Sequence, residues 1–88
     1  MAHYHNRPSL RQLRRLGMTQ RDFADRIKQT RERNKLTQQQ MADELGVSWQ
    51  TVYGWQNMLQ LPQKGLDPEF VLEMLDLIDQ KYRGAGVE

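Results

Sequence analysis

The 88-residue chain has no cysteine, only two histidines, and no apolar run near the roughly 20 residues that a membrane-spanning helix needs. The missing thiols exclude a disulfide framework and thiolate zinc sites, and they fit a reducing compartment. His3 and His5 lie in the N-terminal tail without cysteine or acids beside them, so no metal centre is expected. Nor do acid, base and nucleophile cluster anywhere in the sequence, and no cofactor or small-molecule ligand is evident. A chain this short buries only about 60–65% of its unfolded surface, which disfavours a deep catalytic cleft. The expectation is a binding module rather than an enzyme. The basic N-terminus lacks the apolar core of a signal peptide, which points to a cytoplasmic protein.

A second absence is local. From Leu45 to Gln63 there is no charged residue, although the chain as a whole is 27% charged. The charge is divided instead between the two ends. Residues 1–35 carry ten Lys and Arg against three acids, a net +7, and residues 36–88 carry three against eight, a net −5. A polyanion should meet the first part and avoid the last.

What is present reads as helices. Residues 1–18 form a basic N-terminal arm, with Met1 to Pro8 disordered and Ser9 capping a short helix, SLRQLRRL, that stops at Gly17. Thr19 caps a longer helix over about 20–34, with Phe23, Ala24, Ile27 and Thr30 on its buried side. Two short helices follow over 38–45 and 49–58, where Met41, Leu45, Val52 and Trp55 fall at i, i+4 and give each one buried face. Thr37 and Ser48 are their N-caps. Gly46 suits the positive-φ position that ends the first, Val47 plugs the corner, and Ala42 permits a close crossing. Asp67-Pro68 opens a last helix over 68–82, Gly84-Ala85-Gly86 ends it, and 84–88 is a disordered tail. MTQRDFADRI at 18–27 is similar to LTQQQMADEL at 36–45, but only the second copy is followed by Gly-Val-Ser and another amphipathic window, so the likeness reflects a shared cap pattern rather than a repeat.

The segment from Leu36 to Pro62 resembles the helix-turn-helix of Cro and phage repressors, the XRE family. The residues that carry the likeness are Gln38, Ala42, Gly46, Val52, Trp55 and Pro62, extended back through Ile27, Arg31 and Leu36. It implies an all-α, compact bundle of four to five short helices with a lambda-repressor-like arrangement over 19–83, and a function in sequence-specific binding of double-stranded DNA. In such proteins the second motif helix enters the major groove by its N-terminal residues. Trp49, Gln50, Thr51 and Tyr53 are therefore the candidate base readers. Gln50 leads, because an amide that donates and accepts together matches adenine N6 and N7 for about 1–3 kcal/mol of discrimination.

The resemblance further implies Gln38 as a phosphate anchor, with Gln39 beside it, and Ser48 and Asn57 also near the backbone. Arg11, Arg14 and Arg15 in the basic arm are candidates to lie along phosphates or enter the minor groove. Plainer readings remain open: solvated helix-forming glutamines, a solvated arginine face, and Trp49 and Tyr53 packed on the last helix or a partner. Two positions depart from the family. Gln56 stands where Glu commonly pairs with the arginine at position 31, and Met58 stands where Gly commonly follows Asn57, so the helix either runs on to Leu59 or uses Asn57 as a left-handed cap. Gly54 replaces a longer contacting residue, either shortening the reading face or letting the backbone approach DNA.

The last helix carries more apolar residues than one face needs, and a homodimer through Val71, Leu75, Ile78 and Tyr82 is the expectation. The implied role is a repressor or regulator acting as a dimer on a palindromic operator, nucleoid-associated when bound. The alternatives are a protein-interaction module such as an antitoxin or adaptor, and a DNA-packaging or recombination accessory.

Overall fold

The computed structural model describes residues 7–63 and 66–87; His3, His5, the start of the arm, Lys64-Gly65 of the last loop and Glu88 lie outside them. Among the described residues the chain is five α-helices without a strand: α1 (Arg7–Arg15), α2 (Gln20–Arg33), α3 (Gln38–Leu45), α4 (Trp49–Gln56) and α5 (Pro68–Val87). No helix among the described residues is long and apolar enough to cross a membrane.

Local chemistry sets where the inner helices start. Thr19 accepts from Asp22 N–H at 3.0 Å while the Asp22 carboxylate accepts from Thr19 N–H at 2.9 Å, a reciprocal capping box. Thr37 and Gln40 repeat it at 3.1 and 2.9 Å, and Ser48 Oγ accepts from Thr51 N–H at 3.2 Å.

The first four helices also end alike. After each, a residue takes positive φ: Gly17 (71°), Lys35 (57°), Gly46 (73°) and Met58 (59°). The following N–H then closes onto a carbonyl five residues back, in Met18→Leu13, Leu36→Arg31, Val47→Ala42 and Leu59→Gly54. Helix α4 therefore stops at Gln56, neither running on to Leu59 nor using a left-handed Asn57, whose φ is −104°. Met58 adopts the conformation that glycine would take more cheaply.

The core is continuous through the five helices. Phe23, Ile27, Met41, Ala42, Val52 and Trp55 are fully or almost fully buried, with the Phe23 and Trp55 rings tilted at 6.1 Å. Ala42 is wholly enclosed, as a close α3–α4 crossing requires. Opposite charges then tie α5 to α2 and α3. Arg26 pairs with Asp76, Arg33 Nη2 with Asp79 at 2.8 Å, and Lys81 with Glu44 at 2.8 Å. Tyr82 Oη donates to the same Glu44 oxygen at 2.5 Å. Lys81 and Tyr82 together hold the Glu44 carboxyl below its usual range. Burial pushes Asp79 upward, but hydrogen bonds from Arg33 and Asn34 and the charges of Arg33 and Arg83 outweigh it, so its pKa is lowered.

Both ends depart from expectation. The N-terminal arm is folded: α1 begins at Arg7 rather than after Ser9, and Ser9 is buried within it, donating its hydroxyl to the Pro62 carbonyl. Leu13, 1% exposed, joins the core. At the other end α5 continues through Gly84–Gly86 to Val87, because an interior glycine costs a helix about 1 kcal/mol relative to alanine without forbidding it. Finally, Val71, Leu75 and Ile78 are 2%, 0% and 3% exposed, and Tyr82 is half-buried against Glu44. Val71, Leu75 and Ile78 therefore pack within their own chain, and of the four only Tyr82 keeps part of its surface open.

Candidate nucleic-acid interface

With Val52 and Trp55 turned inward, α4 presents Trp49, Gln50, Tyr53 and Asn57 outward. Trp49 and Tyr53 are 46% and 45% exposed and meet edge to face, 6.3 Å between centroids. They do not pack on α5; they stiffen one another one helical turn apart. Gln50 lies beside them, exposed and without an internal hydrogen bond. This trio forms an uncharged, solvent-facing patch at the N-terminal end of a capped helix.

Other expected contacts are committed elsewhere. Thr51 is half-buried, its hydroxyl 2.9 Å from Ser48 Oγ, and it lines a cavity of about 250 Å³ behind α4 with Val47, Trp55 and Gln60. It supports the cap rather than extending the outer face. Ser48 is exposed, with its oxygen engaged by the Thr51 N–H. Gly54 is buried, and a Cβ there would come within 2.7 Å of the Gln60 side chain. The position is turned inward against the Gln60 side chain rather than toward the outer face of α4.

On α3, Gln38 is half-buried. Gln39 donates to Asp43 Oδ1 at 2.9 Å, and Gln40 belongs to the capping box. Asn57 donates to the Tyr53 carbonyl at 2.8 Å and stays exposed. Arg31 Nε donates to Gln56 Oε1 at 3.2 Å, so the α2–α4 tie survives the change from carboxylate to amide.

Arg11, Arg14 and Arg15 are exposed and make no ion pair among the described residues, but they ride on a helix that packs against α5 and α2 rather than on a free arm. Two cations that the sequence motif does not single out come closer to α4. Arg21 and Lys28 line a cleft of about 200 Å³ with Gln56, Asn57 and Met58 at the C-terminal end of that helix. A signal for them exists in the sequence: residues 21, 24 and 28 fall on one stripe of α2 beside its buried face.

No protein-family model matches this sequence, and comparison with curated proteins and with solved structures finds no match either.

Proposed function

We propose that the chain binds double-stranded DNA sequence-specifically, with α3 and α4 as a lambda-repressor-like helix-turn-helix and Trp49, Gln50 and Tyr53 as the base-reading set. The observation that carries this reading is the outer face of α4: a free amide flanked by two exposed aromatic rings on a helix whose other side is locked by Val52 and Trp55. An α-helix with such a face fits the major groove, and an amide reads adenine. Phosphate attraction falls to the exposed cations of α1 and α2, since α4 has none.

In this reading the protein is a cytoplasmic transcriptional regulator without catalytic activity, acting as a homodimer on a palindromic operator. The dimer surface is revised to the exposed stripe of α5 that carries Phe70 and Leu77, 46% and 55% exposed. Sedimentation that finds only monomer at high micromolar concentration, with and without bound DNA, removes the dimer from the proposal.

Selection of bound sequences from random duplex DNA tests the reading directly. Enrichment of a site that Gln50→Ala abolishes is the expected result, while Arg14→Ala and Arg15→Ala should weaken all sequences alike and flatten the salt dependence. Failure to enrich any sequence at low salt refutes it. The uncharged, aromatic character of α4 favours a second reading, a protein-interaction module of antitoxin or adaptor type. In that case Trp49→Ala disrupts a protein complex and leaves DNA retention unchanged.

A further inference from the structure

The guanidinium of Arg31 is partly buried and pairs with no acid among the described residues. Its Nε donates to Gln56 Oε1 and its Nη1 to the Leu36 carbonyl, each at 3.2 Å, and both acceptors are neutral. Because Arg31 can only donate, Gln56 must turn its oxygen toward it. The Gln56 Nε2 is thereby left buried without an acceptor. A partly desolvated charge ordinarily gains an opposite charge, and a buried N–H an acceptor. Among the described residues neither is supplied.

The cleft that Gln56 lines holds further positive charge. Arg21 and Lys28 stand on its α2 wall, two helical turns apart, and neither has an ion pair among the described residues. Asn57 and Met58 form the opposite wall. Asp25 is the one acid lining it, and with Arg31 behind Gln56 the cations outnumber it by two. An anion with several acceptor oxygens and more than one unit of charge matches this set. Arg offers a planar fork and Lys a point charge, and a phosphate accepts from both, whereas a single carboxylate has fewer oxygens to share.

We propose that the cleft between α2 and the C-terminal end of α4 binds a phosphate group, with Arg21 and Lys28 as its ligands and the uncompensated Arg31 charge behind them. The phosphate comes either from a duplex backbone, in which case this rests on the DNA-binding reading, or from free phosphate, in which case it does not.

Amide chemical shifts of residues 21–28 and 56–58, followed as inorganic phosphate replaces chloride at constant ionic strength, test the free source. A saturable shift is expected, abolished in Arg21→Gln/Lys28→Gln. Gln56→Glu supplies Arg31 with a carboxylate, so it should raise the thermal midpoint in chloride yet weaken phosphate binding about tenfold. For the backbone source, the salt slope of duplex binding should become shallower by about 0.9 for each phosphate that these variants no longer neutralise. A saturable shift with an unchanged slope assigns free phosphate, and a shallower slope without the shift assigns the backbone. Absence of both overturns the proposal, as does a Gln56→Glu protein that binds phosphate as well as the parent. Saturable phosphate binding by a chain that retains no duplex DNA overturns the proposed function and leaves this site standing.

Discussion

Helices α4 and α5 both carry more large apolar side chains than one buried stripe needs, and each splits them between core and surface in its own way. On α5, Val71, Leu75 and Ile78 are absorbed by the chain's own core and Asp76 and Asp79 on the flanking face pair with α2, while Phe70 and Leu77 stay exposed and apart from one another, two turns along the helix. On α4, Val52 and Trp55 fill the core while Trp49 and Tyr53 remain outside, their rings set against each other. An apolar surplus therefore does not by itself mark an interface. What counts is whether the rest of the chain has an element left to cover it: α1, α2 and α3 close over one side of α5 and leave Phe70 and Leu77 out, just as Trp49 and Tyr53 are left out on α4.

The two tryptophans of α4 offer the sharpest way to break that comparison. Trp55→Ala should cost roughly 3–5 kcal/mol of unfolding free energy in urea titration, because it empties the centre of the core. Trp49→Ala should shift stability by no more than about 0.5 kcal/mol while reducing ligand retention. Equal destabilisation by both would erase the distinction between inner and outer faces. For α5, Leu75→Ala should cost about 2–5 kcal/mol without changing the sedimentation coefficient of the protein that stays folded. A dissociated but stable Leu75→Ala protein would return that residue to an interface.

Smaller effects sharpen the picture. Gly54→Lys tests the inner placement of that position: with the Gln60 side chain within 2.7 Å of any Cβ, it should destabilise by about 1–3 kcal/mol rather than strengthen DNA binding. Met58→Gly relieves a left-handed backbone and should raise stability by about 0.5–1 kcal/mol, less than the full strain because glycine also loosens the unfolded chain.

Acid supplies a further test of the ties to α5. The Glu44 and Asp79 carboxyls both lie below their ordinary values, so their contribution is complete above the unfolded range near pH 4 and is lost as pH falls through the lower folded values. Stability should accordingly decline on acidification below about pH 4, and Glu44→Gln should flatten that decline.

Much of the inner fold was legible because its signals are local. Thr19 with Asp22, Thr37 with the first turn of α3, Gly46 and Ser48 each act within a few residues of where they stand, and the helices they delimit agree with the sequence to within one or two residues. The buried set Met41, Ala42, Leu45, Val52 and Trp55 followed from helical periodicity alone. The candidate site was legible only in part. Trp49, Gln50 and Tyr53 are outside as the pattern implied, but Thr51 and Gly54 are turned toward a loop whose return path no local signal encoded.

The chain's sequence by itself determined the three inner helices, their caps and which face of each avoids water, since hydrogen bonds to the backbone and the 3.6-residue period are properties of neighbouring residues. Only the tertiary structure decided that α1 docks through Leu13 and Ser9, that Val71, Leu75 and Ile78 of α5 close on the chain's own core, and that Arg21 and Lys28 meet Gln56 across a cleft. Those outcomes depend on which segments, far apart along the chain, compete to cover the same apolar surface, and that competition is settled by the packing of the whole.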